Sequence, residues 1–289
     1  MFAGQRFCCM ISGPGRRPGT KTRPTGASEN MGSPTRGRID MTIKLPTFTI
    51  CAALLAPAAW AGNEPHWSYT GPTGAPHWAE LDAGYKTCAL GKHQSPIDIR
   101  TGKAKRADLK PIGFAYAAAP ATVVNNGHTV QVNLPAAGQI ELDGVPYKLL
   151  QFHFHTPSEE KINGKTYPLV AHLVHQNAEG KLAVVAVLFK SGRENAALKP
   201  VFASLPGKAG ESRELAAQLD VAALLPAQQS YWAFTGSLTT PPCSEDVRWQ
   251  VLKTPVEISP AQLAAFRQLY RMNARPVQPL NGRVVQAGQ

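Results

Sequence analysis

The chain has no cluster of basic residues interleaved with aromatic ones, although its formal net charge is +11 over 289 residues. Residues 1–61 carry +6 of that charge, which leaves +5 for residues 62–289. Heptads, internal repeats and a second apolar run are also missing. These absences argue against a nucleic-acid-binding protein, a coiled coil, a repeat protein and a membrane span in the mature chain.

The first 61 residues resemble a targeting sequence rather than part of a folded domain. Residues 1–40 are rich in Gly, Arg, Pro and Ser/Thr, which indicates a disordered extension or a translation start placed too early. Residues 41–61 combine Lys44, a short apolar run and Ala59-Trp60-Ala61, the pattern of a secretory signal peptide. The alternative, a buried helix, would be interrupted by Pro46 and Pro57. We predict cleavage after Ala61, export across the inner membrane to the periplasm, and one mature domain over residues 62–289.

Cysteine is scarce in the predicted mature chain, which keeps only Cys88 and Cys243. In an oxidising compartment two cysteines favour one disulfide. The alternative is a pair of free, buried thiols.

Short strands and few helices are indicated for the mature domain. Turn signals such as Asn125-Asn126-Gly127 and Asp143-Gly144 separate apolar stretches of strand length. We therefore expect a large antiparallel or mixed sheet with peripheral helices. The strands are predicted at 122–124, 129–134, 140–142, 147–155, 169–175, 182–190 and 248–252, and the helices at 195–205, 211–225 and 261–274.

A His-x-His pair lies in one predicted strand. Because side chains alternate along a strand, His153 and His155 point to the same face. His172 lies in another predicted strand and joins them if the two strands are neighbours. Three imidazoles that leave one coordination position free are typical of a catalytic zinc site. His175 is expected on the opposite strand face, in a structural role.

Several motifs occur together in the chain: Gln151 to His155, Ala171 to His175, Gly236 to Pro242, Gln94 to Ile99, Asn125 to His128 and Asn273 to Asn281. Together they resemble the α-class carbonic anhydrases, in their secreted bacterial form. The resemblance implies a single domain with a central twisted, mostly antiparallel sheet of about ten strands and a conical cleft. It also implies a lyase that hydrates CO2 reversibly to bicarbonate with hydroxide generated at zinc, and a bridge between Cys88 and Cys243.

The same resemblance implies roles for individual residues. Zinc is held by His153, His155 and His172, the third through the other ring nitrogen. The hydroxyl of Thr239 orients hydroxide and donates to Glu159, and His128 shuttles the proton to solvent. Polar residues line its water network: Tyr69, Asn126 and Gln131. The CO2 and bicarbonate site is lined by Val174, Val184, Leu238, Thr239, Thr240, Val247 and Trp249.

One position departs from the family pattern. Many members carry a glutamate two residues before the third ligand, whereas this chain has Val170. We hypothesise that Glu160 supplies the missing carboxylate to His172 and that Gln151 accepts from His153.

The implied partners are CO2 and bicarbonate, with anions and sulfonamides as inhibitors, and the chain is expected to be a monomer or homodimer. Two alternatives stay open at this point. A cupin would use Glu159 as a further ligand in its His-x-His-x-x-x-Glu motif. A carbonic-anhydrase-like binding module would have lost the chemistry.

Overall fold

The chain divides into two units, Met1–Ala59 and Trp60–Gln289, and the computed structural model describes residues 66–288, within the second unit. The predicted extension, signal peptide and cleavage site lie outside the described residues. Across residues 66–288, no helix is long and apolar enough to cross a membrane.

The described residues form mostly β-structure, as predicted. The strands are β1 (Asp98–Ile99), β2 (Lys105–Arg106), β3 (Gly113–Tyr116), β4 (Thr122–Asn125), β5 (Val130–Asn133), β6 (Gly138–Leu142), β7 (Val145–His155), β8 (Lys161–Ile162), β9 (Leu169–Gln176), β10 (Leu182–Ser191), β11 (Ser212–Glu214), β12 (Tyr231–Gly236), β13 (Val247–Leu252), β14 (Val256–Ile258) and β15 (Gln286–Ala287). The α-helices are α1 (Trp78–Leu81), α2 (Thr87–Leu90), α3 (Lys199–Ala203) and α4 (Pro260–Leu269), with short 3-10 turns between.

One mixed sheet contains thirteen of these strands. Its main path runs β11-β4-β5-β7-β9-β10-β13-β12-β15-β2, with β14, β3 and β6 attached beside it, while β1 and β8 form a separate pair. Most neighbours are antiparallel, and β10 runs parallel to β13 and β14. The count exceeds the expected ten because short strands such as β2, β11 and β15 extend the edges.

The sheet is buried on both faces along its centre. Side chains alternate between two apolar clusters, so neighbours such as Phe152 on β7 and Leu173 on β9 share the larger one. The smaller cluster contains Val174, Val184 and Trp249. Strand β10 is buried from Ala183 to Phe189, as its unbroken apolar sequence predicts.

The helix predictions were only partly right. The capped helix α4 is present, with Ser259 and Gln262 forming a capping box, but it ends at Leu269. The predicted helix over 195–205 is reduced to α3. The predicted helix over 211–225 is wrong, because Ser212–Glu214 pairs with β4 as an edge strand and Val221–Leu224 forms a 3-10 turn.

A third apolar cluster lies under the N-terminal helices and contains the disulfide. Cys88 on α2 is bonded to Cys243, with Cα atoms 5.0 Å apart. Both cysteines pack with the fully buried Trp78. The bridge confirms the predicted pairing and excludes the alternative of two free thiols. It ties the N-terminal helices to the loop that follows Thr240.

Candidate metal centre

Two adjacent strands bring three histidines together. Strand β7 pairs antiparallel with β9 in a register that places His153 opposite His172, and His155 lies two residues further along β7 on the same face. The ring centroids are 4.8 to 5.6 Å apart. One nitrogen from each ring lies within 4.8 Å of the others. Among residues 66–288 this is the one group of His, Cys, Asp and Glu that can hold a metal ion.

The second nitrogen of each ring is already hydrogen bonded. Nδ1 of His153 lies 2.8 Å from Oε1 of Gln151, and Nδ1 of His155 lies 2.7 Å from the backbone oxygen of Asn273. Nε2 of His172 lies 2.9 Å from Oε1 of Glu160. These acceptors fix the N–H on the outer side of each ring. The nitrogens that face inward are therefore Nε2, Nε2 and Nδ1.

An unpartnered nitrogen among the described residues supports a metal ion as the occupant of this candidate centre. Nε2 of His155 is fully buried and has no hydrogen-bond partner among the described residues. Leaving a buried polar atom unsatisfied is costly, and a cation placed between the three lone pairs removes that cost. A set of three imidazoles fits zinc with a free coordination position. Glu159 is absent from the metal-holding group, which contradicts the ligand set of a cupin.

Burial keeps two of the imidazoles neutral. It lowers the pKa of His153 to about 3, with the neighbouring His172 adding to the effect. The pKa of His155 is well below its usual value for the same reasons. For His172, burial alone would lower the pKa, but the charge and hydrogen bond of Glu160, with Glu159 behind them, raise it. Neutral rings are the form that binds a metal.

A second buried carboxylate lies beside the histidines. Glu159 accepts the backbone N–H of Arg275 at 2.8 Å, and its oxygens lie 3.5 Å from Nδ1 of His155 and 3.8 Å from Nδ1 of His172. Burial raises the pKa of Glu159 to about 7 against the lowering effect of His172; Glu160 adds to the rise, and the Thr239 hydroxyl and the Arg275 N–H oppose it. The Thr239 hydroxyl thus lies close enough to affect the pKa of Glu159, although 80 positions separate the two residues in the sequence.

The segment that carries Thr239 is held by several hydrogen bonds. The backbone N–H groups of Ser95 and Ser237 each donate to the other residue's hydroxyl, at 2.9 and 3.1 Å. Trp249 donates its indole N–H to the backbone oxygen of Ser237 at 3.0 Å. Leu238 donates its backbone N–H to Ser244. Thr239 therefore has a fixed place next to the metal site.

An apolar wall adjoins the centre. The indole of Trp249 meets the ring of His172 edge-on, with centroids 4.9 Å apart. The residues predicted to contact CO2 share the same cluster: Val174, Val184, Val247 and Trp249, with Leu238 packed against them. The structure thus brings together the residues of the predicted substrate pocket; Thr240 lies in the adjoining loop, where its oxygen accepts the backbone N–H of Cys243.

His128 lies at the edge of the site, half-buried. Its ring stacks on Trp67 at a centroid distance of 3.6 Å and lies 5.4 Å from the ring of His66. Burial lowers the pKa of His128 to about 4, and the charge of His66 contributes. The stacked ring is therefore neutral near pH 7.

The predicted water-network residues are polar groups near this histidine and His155. Asn126 donates to Gln131 at 3.4 Å, and its own side-chain oxygen accepts the backbone N–H of His128 at 3.0 Å. The hydroxyl of Tyr69 is buried without a hydrogen-bond partner among residues 66–288, and its ring lies 6.4 Å from that of His155.

His175 points away from the metal group, as predicted. Its Nε2 lies 2.7 Å from the hydroxyl of Tyr116, and Nδ1 lies 3.3 Å from the backbone oxygen of Ala183. The two rings stack with centroids 5.9 Å apart.

Two supporting residues carry no role in the sequence analysis. Asn273 is fully buried; its backbone oxygen faces His155, its side-chain oxygen accepts the N–H of Thr156, and its amide donates to the backbone of His128 and Phe154. Arg275 fixes Glu159 through its backbone and binds three acceptors, one of them the oxygen of Cys88, through its guanidinium. The sequence signal that could have identified both residues is their place in the motif from Asn273 to Asn281.

Comparison with known proteins gives consistent results. Residues 73–289 match the family model of eukaryotic-type carbonic anhydrase. A carbonic anhydrase of Klebsiella pneumoniae is 49% identical over 223 residues, which cover 76% of this chain and 90% of the relative. The α-carbonic anhydrase of Thermovibrio ammonificans, solved with the inhibitor sulfanilamide, is 47% identical with a TM-score of 0.76, covering 77% of this chain and 99% of that one. Dioscorin, solved with ascorbate, is 33% identical with a TM-score of 0.73, covering 77% and 97%.

Proposed function

The chain belongs to the eukaryotic-type, or α, carbonic anhydrases, and from that premise we propose that it hydrates CO2 reversibly to bicarbonate and a proton through the site built on His153, His155 and His172. The observation that carries the proposal is the convergence of three ring nitrogens, one of them a buried Nε2 with no hydrogen-bond partner among residues 66–288.

The three histidines would hold a zinc ion through Nε2 of His153, Nε2 of His155 and Nδ1 of His172. Zinc held by neutral imidazoles supplies Lewis acidity that lowers the pKa of water to about 7 and so provides hydroxide at neutral pH. Strand β9 is buried from Leu169 to His175, and His155 on β7 is fully buried, which keeps the rings in place before any ion arrives.

Thr239 and Glu159 would orient the attacking oxygen. A hydroxyl offers one donor and two acceptor positions. The Thr239 hydroxyl would donate to the Glu159 carboxylate, whose pKa it lowers, and only its acceptor positions would then remain available to the nucleophile. This pairing selects the lone pair that faces CO2, and the backbone N–H of Thr239 would hold the bicarbonate product or an inhibiting anion.

The apolar wall suits the substrate. CO2 has no net dipole, so it gains more from the cluster of Val174, Val184 and Trp249 than a water molecule does. Trp249 is in contact with His172, which places the wall directly beside the ion site. Leu238, Thr240 and Val247 would complete this pocket.

His128 would pass the proton to solvent. An imidazole whose charge changes near neutral pH suits a shuttle, and rotation away from Trp67 would restore its ordinary pKa. Tyr69, Asn126 and Gln131 would hold the connecting water molecules. Asn126 donates to Gln131, Gln131 lies opposite His153 in the sheet, and the Tyr69 ring lies 6.4 Å from that of His155.

The surroundings of the protein are proposed from its chemistry. The disulfide between Cys88 and Cys243 supports an oxidising compartment, in line with a signal peptide over residues 41–61 and a periplasmic domain over 62–289.

We expect inhibition by simple anions and by sulfonamides, since the relative from Thermovibrio ammonificans is solved with sulfanilamide. A monomer or a homodimer is expected.

Stopped-flow CO2 hydration by residues 62–289, with and without a chelator, tests the function together with zinc analysis. About one zinc per chain and a sulfonamide-sensitive rate that the chelator abolishes are expected. The competing function is that of a binding module. The observation that favours it is the likeness to dioscorin, which is solved with ascorbate. Bound zinc without hydration would favour that module and refute the enzyme.

A further inference from the structure

One buried carboxylate of the metal centre, Glu160, takes no direct part in the hydration chemistry proposed above. Glu160 is fully buried, and its Oε1 lies 2.9 Å from Nε2 of His172. Its other oxygen, Oε2, is buried without a hydrogen-bond partner among residues 66–288. A buried carboxylate is costly unless a specific contact offsets the cost, and the contact that the structure provides is the N–H of His172.

This carboxylate does not come from β9, the strand that carries His172. Residues two apart on a strand share a face, so a side chain at position 170 of β9 could reach His172. Val170 occupies that position, is fully buried, and packs in the cluster that contains Ile97 and Ile99. Its side chain offers no acceptor. The acceptor comes instead from Glu160, in the segment between β7 and β8.

That segment is fixed well enough to position a carboxylate. Ser158 donates its hydroxyl to the backbone oxygen of Glu160 at 2.8 Å and accepts the N–H of Tyr167 at 2.9 Å. The backbone N–H of Lys161, the next residue, donates to the oxygen of Ile97 at 3.2 Å. Hydrogen bonds on both sides of Glu160 therefore limit the movement of its backbone.

We propose that Glu160 is the positioning residue of His172: it holds the ring N–H at Nε2 and so presents the bare Nδ1 to the ion, a task that no residue of β9 performs in this chain. The proposal rests on the proposed function, because it concerns the third ligand of the same zinc site. Two consecutive residues then have different roles in the centre. The carboxylate of Glu159 serves Thr239, and the carboxylate of Glu160 serves the metal ligand His172.

The variant Glu160→Gln tests the proposal, because glutamine has the same size but no charge and can donate to Nε2. We expect its zinc affinity, measured by competition with a chelator, to fall about 10-fold to 100-fold. We also expect the Nε2–H proton of His172, observed by NMR in the zinc-loaded wild type, to lie far downfield and to move upfield in the variant. Glu179→Gln, which changes an exposed carboxylate in the turn between β9 and β10, is the matched control and should leave both readouts unchanged.

Two outcomes would overturn the inference. The first is an unchanged zinc affinity in Glu160→Gln. The second needs no variant: an Nδ1–H on His172 in the zinc-loaded wild type would mean that the ring binds through the other nitrogen. Neither outcome touches the proposed function, which fails only if wild-type protein does not hydrate CO2, and that rate is measured separately.

Discussion

Removal of the disulfide should lower stability far more than activity. The bridge between Cys88 and Cys243 spans 155 positions of the sequence. On the chain-entropy model, a cross-link that closes so long a loop contributes about 5 kcal/mol by restricting the unfolded chain. Domains of ordinary stability have about 5 to 15 kcal/mol in total, so the double variant Cys88→Ala, Cys243→Ala should lose a large fraction of its free energy of unfolding.

The catalytic segment should keep its place in that variant. Thr239 precedes Cys243 in the same loop, but the reciprocal bonds of Ser95 with Ser237 and the bond from Trp249 hold its segment independently of the bridge. We therefore expect kcat/KM for CO2 hydration to stay within about 10-fold of wild type, a change of about 1.4 kcal/mol in the barrier, at temperatures where the variant is folded.

The loss in free energy of unfolding is measured by urea unfolding of the oxidised wild type, the reduced wild type and the double variant. The reduced wild type serves as the control, because it opens the bridge without changing the sequence. A loss of stability below about 1 kcal/mol would refute the entropic argument. A 100-fold loss of activity in folded variant would show instead that the bridge positions Thr239.

Further variants at three positions test the roles of individual side chains. His128→Ala should lower kcat about 10²-fold in dilute buffer and regain activity in imidazole buffer, whereas a loss without such rescue would contradict a shuttle. Thr239→Val should lower kcat/KM on the order of 10²-fold while Thr239→Ser stays close to wild type, and equal losses in both would contradict the hydroxyl relay. Burial lowers the pKa of His175 from 6.5 to about 4, so the unfolded chain binds the extra proton and stability should fall as the pH is lowered through that interval. In urea titrations His175→Gln should remove about 1.4 kcal/mol per pH unit from that slope, and an unchanged slope would contradict the assignment.

The strands at the centre were predictable because local pattern and tertiary role agree there. The long apolar run of β10 and the alternation around His153 and His155 both match the observed burial. The helix predicted over 211–225 failed because the edge of β4 offers backbone partners to Ser212–Glu214, and this pairing outweighs helix propensity. An edge strand of two or three residues is too short to show the alternation of apolar and polar residues from which a strand is predicted.

The three ligand histidines were predictable, and part of their support was not. The acceptor for His155 is a backbone oxygen 118 positions away, and a backbone oxygen has no signature in the sequence. Arg275 likewise reaches Glu159 through its main-chain N–H. The contact of Glu160 with His172 was open to hypothesis because the valine at position 170 leaves a visible gap in a pattern of side chains.

The position of Asn273 and Arg275 near the end of the chain has a consequence for biosynthesis. A nascent polypeptide that has grown past His172 already contains every ligand, yet it lacks the acceptor of His155 and the donor to Glu159. Assembly of a complete, preorganised centre must therefore wait until translation has passed codon 275, and truncations before that point would leave the ligand strands without their anchors.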